Sequence, residues 1–238
     1  MTAQSGGGAP ALAFPPSFSL PSDEDVQRIA AALSLIAELG SDGFIFRYGR
    51  VPGNDVDLFA VVQEEVDTRL EIGKLDIHFL SVGGYRVLVQ QLDPIGCEPI
   101  ITGQFLTGNS EAFDDLQLEA KTNRPSAAAT RRLIRCGFEW FAAARHYFQR
   151  YESTEKALDG YACVTNLAYA LVYLLSATAY VNGRSTFISL AELEQGNPLL
   201  RDARTISREF KALNAVPASV IEDLICRSEL GLVAHNVP

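Results

Sequence analysis

The sequence predicts an α+β chain, with a small mixed β-sheet that carries packed helices followed by an all-helical bundle. Three observations carry this. Apolar runs with period-two alternation are confined to the stretch before residue 108. A polar segment with a proline breaker, Lys121-Thr-Asn-Arg-Pro-Ser126, closes that half. Beyond it, apolar residues recur at helical spacing. The expected organisation is a flexible tail over 1–21, an α/β domain over 22–121 and a helical domain over 126–238. A ligand cleft is expected between the two domains, since pockets favour domain interfaces.

Taken in order, Met1 to Pro21 has neither the basic start nor the apolar core of a signal peptide. Ser5-Gly-Gly-Gly-Ala-Pro10 and Phe14-Pro-Pro-Ser17 give it a linker composition. Ser22-Asp-Glu-Asp25 opens a helix to about Leu39, with Val26, Ile29, Ala30, Leu33, Ile36 and Ala37 on one face and Gly40 as its stop. Strands are expected at about 43–48, 56–63 and 74–81. The connection from Gln63 to Gly73 is polar and acidic, with room for further strand residues at a hairpin tip. Gly83-Gly84 leads into a helix from about Tyr85 to Leu92, ended by Asp93-Pro94. Residues 97–108 read as loop mixed with a short strand or helix, and Ser110 to Ala120 as a helix.

The second half opens with a long helix from about Ser126 to Tyr151. Leu133, Ile134, Gly137, Trp140, Phe141, Ala144 and Phe148 form its inward stripe. Arg131, Arg132, Arg135, Arg145 and Arg150 make it the most basic segment. They read either as the lining of the cleft or, more commonly for such spacing, as a solvated face. The next helix, about Leu158 to Val181, has no charged residue from Gly160 to Gly183, a length that can span a bilayer. Thr165, Asn166, Ser176, Thr178 and Asn182 interrupt it, and its tyrosines are spread along it rather than gathered at the ends. The expectation is therefore a helix buried within a bundle, with no membrane association. Ser189-Leu-Ala-Glu192 is a capping box. Asn197-Pro198 and Pro217-Ala-Ser219 start two further helices, to about Leu213 and Leu230.

Composition bounds the function. The chain has 238 residues, 47% of them hydrophobic and 21% charged, which is ample for a globular core. A net charge of −9 argues against non-specific nucleic-acid binding, which needs clustered Lys and Arg to neutralise phosphates. It leaves room for a small nucleotide held through a metal, or for a basic protein partner. Cys97, Cys136, Cys163 and Cys226 lie too far apart for a metal knuckle and read as reduced thiols of a cytoplasmic protein.

The chemistry concentrates between Phe44 and His78. The apolar run from Phe44 to Phe46 ends in Tyr48-Gly49-Arg50, the turn Pro52-Gly53-Asn54 follows, and Asp55 and Asp57 open the next run. Carboxylates at i and i+2 on a strand project from the same face. Two acids held so close repel each other unless protonated or bridged by a cation. Mg²⁺ uses one or two carboxylates together with substrate phosphates. Leu75-Asp76-Ile77-His78 is a short alternating strand with Asp76 and His78 on one face. Beside the first acidic strand, Asp76 would join Asp55 and Asp57, and three carboxylates can hold two cations for phosphoryl transfer. His78 could assist there, although half-buried strand histidines are more often bonded to backbone. Neither a P-loop nor a Ser/Cys–His hydrolase signature is present.

This order of strand, glycine turn, Asp-x-Asp strand and third-Asp strand resembles the nucleotidyltransferases related to DNA polymerase beta. The resemblance covers roughly residues 22–108, including Gln91-Leu-Asp-Pro94 and the segment from Pro99 to Gly108. It implies a nucleotidyltransferase-like domain that moves a nucleotidyl group from a nucleoside triphosphate to an acceptor hydroxyl. Asp55, Asp57 and Asp76 would be its catalytic and metal-holding residues, Mg²⁺ or Mn²⁺ its cofactor, and Tyr48, Gly49 and Arg50 its phosphate-binding turn. Two departures stand out. Arg50 occupies the family's Ser position, and only five residues separate Gly49 from Asp55. They give weight to a rival expectation, an inactive member of the same fold used as a binding or assembly module. A phage or host-defence accessory, or an antitoxin-like protein acting with a protein partner or as a homo-oligomer, would fit that description.

Overall fold

The structure, a computed structural model, describes residues 22–36, 39–48, 56–72, 75–212 and 214–234. Helix α1 (Asp23–Ile36) carries three acids in its first turn, where they complement the positive end of the helix dipole. Val26 and Ala30 on its inner face are fully buried. Gly40 follows at φ +68°, with the Gln63 side chain so close that a Cβ would meet it at 2.8 Å, so both backbone and space require glycine.

The sheet has five strands among the described residues: β1 (Phe44–Tyr48), β2 (Val56–Val62), β3 (Asp67–Ile72), β4 (Leu75–Ser81) and β5 (Gln104–Gly108). Their order is β3-β4-β2-β1-β5. It is a mixed sheet, since β2 and β4 run parallel and every other pair is antiparallel. Parallel neighbours need a crossover. Here the crossover contains β3, which runs back along the outer edge antiparallel to β4, with Ile72 opposite Leu75. The acidic connection after Gln63 thus contains a full edge strand.

The two faces of the sheet bury different sets. Val56, Leu58, Leu75 and Ile77 pack with Val26 of α1 on one side, and Ile45, Ala60 and Val62 continue that layer. Phe44, Phe46, Phe59 and Val61 point to the other side. That side is covered by α2 (Val82–Gln90), α3 (Pro94–Thr102) and α4 (Ser110–Thr122). Helix α2 begins three residues earlier than the sequence suggests, because Ser81 caps the amide of Gly84. Helix α3 forms where the sequence gives a mixture. Asp93 caps it, Pro94 takes the first turn, and burial of Gly96, Cys97, Pro99 and Ile100 outweighs their poor propensity.

Beyond residue 126 the described chain is helix and connection only. Helices α5 (Ala127–Thr154) and α6 (Ala157–Val181) form a long antiparallel pair, joined at Glu155 in a left-handed conformation, φ 53°. Helices α7 (Leu190–Gly196), α8 (Pro198–Lys211) and α9 (Ala218–Ala234) complete the bundle, and α7 has the expected Ser189–Glu192 capping box. Helix α6 is long and apolar enough to cross a membrane, but more than half of that stretch is buried inside the protein against α5, α8 and α9. The aromatic core over the sheet extends into this half through Leu133, Tyr173, Ala177, Tyr180 and Phe187. Asp93, 1% exposed, ties the halves together. It accepts hydrogen bonds from Tyr173 Oη at 2.8 Å and Arg132 Nη1 at 2.5 Å, and from the Ile95 amide at 3.0 Å.

Candidate functional site

The parallel register of β2 and β4 decides what can meet. Asp57 lies beside Asp76 and Phe59 beside His78, so all four side chains share one face. One ligand atom each from Asp57, Asp76 and His78 lies within 4.8 Å of the others. His78 Nε2 stands 3.7 Å from Asp57 Oδ1. The carboxylates form a row near the starts of the two strands, and an aromatic row lies next to it. His78 stacks on Phe59 with centroids 4.6 Å apart and planes within 8°, and Phe59 stacks on Phe46 at 5.0 Å. This stacking fixes the imidazole plane beside the carboxylates.

The neighbouring strands add two groups. Tyr48 is paired with Asp57 across β1 and β2. Burial pushes its phenol up to about 12, with the charge of Glu98 adding to the shift and that of Arg204 opposing it. Tyr48 therefore stays a neutral hydroxyl at ordinary pH. On the other side Arg69 of β3 donates from Nη2 to Asp76 Oδ2 at 2.5 Å. A guanidinium thus sits where a cation facing Asp76 would sit. Tyr169 of α6 packs on Trp140 at 5.2 Å. Burial raises the Tyr169 phenol as well, and Arg69, Asp57 and Lys211 all act on it electrostatically.

Of the residues singled out in the sequence, Asp57, Asp76, His78 and Tyr48 come together. Asp55, Gly49 and Arg50 lie outside the described residues. The α5 arginines do not face this cluster. Arg132 binds Asp93, Arg135 reaches Glu139, Arg145 reaches Glu229 and Arg150 binds Asp159. Arg131 lines an open concavity of about 410 Å³ with Gln90, Gln91, Ser126, Arg132 and Arg135, and none of the site residues borders it. Arg69, Tyr169 and Arg204 escaped the sequence reading. Arg69 falls opposite His78 in the β3–β4 register, which becomes legible only once β3 is recognised as a strand.

The donor set suits a divalent cation, having two carboxylates, one of them buried, and an imidazole on a rigid sheet face. No protein-family model matches the chain, and no curated protein is significantly similar to it. Among solved structures, one similar to it is a nucleotidyltransferase-like protein from Exiguobacterium sibiricum 255-15. That likeness has 12% identity and a TM-score of 0.37, and spans 88% of this chain and 78% of the other.

Proposed function

We propose that the chain transfers a nucleotidyl group from a nucleoside triphosphate to an acceptor hydroxyl, releasing pyrophosphate, with a divalent cation held at Asp57 and Asp76. The observation that carries this reading is the parallel pairing of those two carboxylates on one face of a mixed sheet. Asp55, two positions before Asp57 in the sequence, adds the third acid of the motif. A cation there supplies charge neutralisation for the triphosphate and acidity for the acceptor oxygen. Asp76 accepts the acceptor's proton, a task suited to a carboxylate within hydrogen-bond reach. Tyr48 offers a neutral hydroxyl to a phosphate oxygen, and Gly49 and Arg50, which follow it in the sequence, hold the terminal phosphates, since glycine permits close backbone approach and arginine binds phosphate in a planar fork. The four thiols are unpaired among the described residues, in keeping with a cytoplasmic setting.

Two observations favour a second reading. Arg69 already neutralises Asp76, and Arg50 stands where the family has Ser. The same fold would then serve as a non-catalytic module whose acidic surface receives a basic protein or a second copy of the chain. Calorimetric titration with each of the four common nucleoside triphosphates, in the presence of Mg²⁺ or Mn²⁺, separates the two. The transferase binds at least one of them, and Asp57→Asn abolishes the binding. A folded, metal-replete protein that binds none is the module.

A further inference from the structure

We propose that His78 is a direct ligand of the cation, and that Arg69 is the resident cation it displaces from Asp76. This rests on the reading above, that the carboxylates hold a divalent ion. The centre is then a two-carboxylate, one-imidazole set that prefers Mn²⁺ or another transition-type ion to Mg²⁺. Three features support this.

The first is reach. Ligands about 2.1 Å from one ion lie about 3.4 Å apart at a tetrahedral angle and about 4.2 Å apart when opposed. The 3.7 Å from His78 Nε2 to Asp57 Oδ1 falls inside that interval, and one ligand atom from each of the three residues lies within 4.8 Å of the others. The second is orientation. The stack on Phe59 fixes the imidazole plane while Nε2 stands toward Asp57, so little freedom is lost on binding. The third is the guanidinium itself. Arg69 Nη2 lies 2.5 Å from Asp76 Oδ2, so an ion at that oxygen competes directly with the guanidinium, whose side chain is about half exposed. Mg²⁺ dehydrates reluctantly and demands oxygen donors, whereas the divalent first-row ions accept an imidazole nitrogen more readily, Mn²⁺ the least of them, so Mn²⁺ is the mildest probe of the preference.

The test is titration of the full chain with Mg²⁺ and Mn²⁺ separately, together with pulsed electron paramagnetic resonance of bound Mn²⁺. The expected results are Mn²⁺ binding at least tenfold tighter than Mg²⁺ and a hyperfine coupling from a directly bound nitrogen. His78→Gln should remove that coupling and weaken Mn²⁺ about tenfold, with little change for Mg²⁺. Arg69→Gln should tighten both ions severalfold. The nitrogen signal is read on the unaltered protein, so the proposal stays testable even where His78→Gln fails to fold. Mn²⁺ bound without nitrogen coupling overturns the role of His78 and leaves the carboxylate site standing. Unchanged affinity in Arg69→Gln overturns the displacement. A chain that binds neither ion overturns both this inference and the reading beneath it.

Discussion

Asp93 shows how much one residue can organise. Its carboxylate caps α3 and receives Arg132 from α5 and Tyr173 from α6, at a site with almost no access to water. Removing one partner of a buried ion pair leaves the other charge uncompensated and costs about 3–5 kcal/mol. The Arg132 side chain is 27% exposed and can recover some hydration, which points to the lower end. We expect Asp93→Ala to destabilise the chain by about 3 kcal/mol and Tyr173→Phe by about 1 kcal/mol. Urea unfolding measures both. A midpoint unmoved by Asp93→Ala would show that Arg132 and Tyr173 are equally well satisfied without it.

At the scale of elements, the α5–α6 pair meets the rest of the bundle through small residues. A Cβ on Gly160 would stand 2.4 Å from Phe210 Cζ and 3.0 Å from Tyr151 Cδ2. Tyr151 is itself held by a hydrogen bond from its hydroxyl to the Val216 carbonyl, so its ring cannot retreat freely. Overpacking of this kind costs about 1–3 kcal/mol, more than the roughly 1 kcal/mol that alanine returns in helix propensity. Gly160→Ala should therefore lower the melting temperature, whereas Gly196→Ala, with nothing within 4 Å, should leave it nearly unchanged. Equal effects at the two positions would refute the packing argument. Legibility in the sequence follows the same physics. Strands β1, β2 and β4 are buried and declare themselves by apolar runs and alternation. Strand β3 pairs on one side only, and its Leu70 is exposed, so its sequence resembles a polar connection. Helix α3 hides behind Pro94, Gly96 and Pro99 because tertiary burial, not propensity, makes it. The meeting of Asp57 and Asp76 was legible only as a condition, that their two apolar strands lie side by side, and the β2–β4 register meets it. The approach of Arg69 was not, since it depends on a hairpin register invisible until β3 is recognised.

The whole molecule carries an alkaline liability. Burial raises the thiols of Cys97 and Cys163 above their ordinary 9.0, the latter to about 12. It raises the phenols of Tyr85, Tyr173 and Tyr180 above 10.0, and that of Tyr48 to about 12. In the unfolded chain these groups release protons from about pH 9 upward, while the native chain still holds them. The native state then binds more protons than the unfolded one, so stability falls as pH rises. The contribution is intact below pH 9 and is lost progressively toward pH 12. Melting curves should show a clear fall in midpoint between pH 8 and 10.5. A flat profile would mean that these side chains reach water in the native state. Most of them belong to the core that runs from the sheet into the bundle, so the loss should be shared by both halves.

The parallel seam between β2 and β4 has one more consequence. Strand faces alternate residue by residue, so a slip of β4 by a single position would exchange Asp76 and His78 for Ile77 and Phe79. The slipped sheet would bury charge against α1 and put hydrocarbon where the carboxylates stand. Asp57 would then face no second donor. The cluster thus works as a checksum on the threading of the chain: Asp76 and His78 meet Asp57 in this register and in neither of the adjacent ones. A cation resting there would certify that the crossover through β3 had closed in the correct frame.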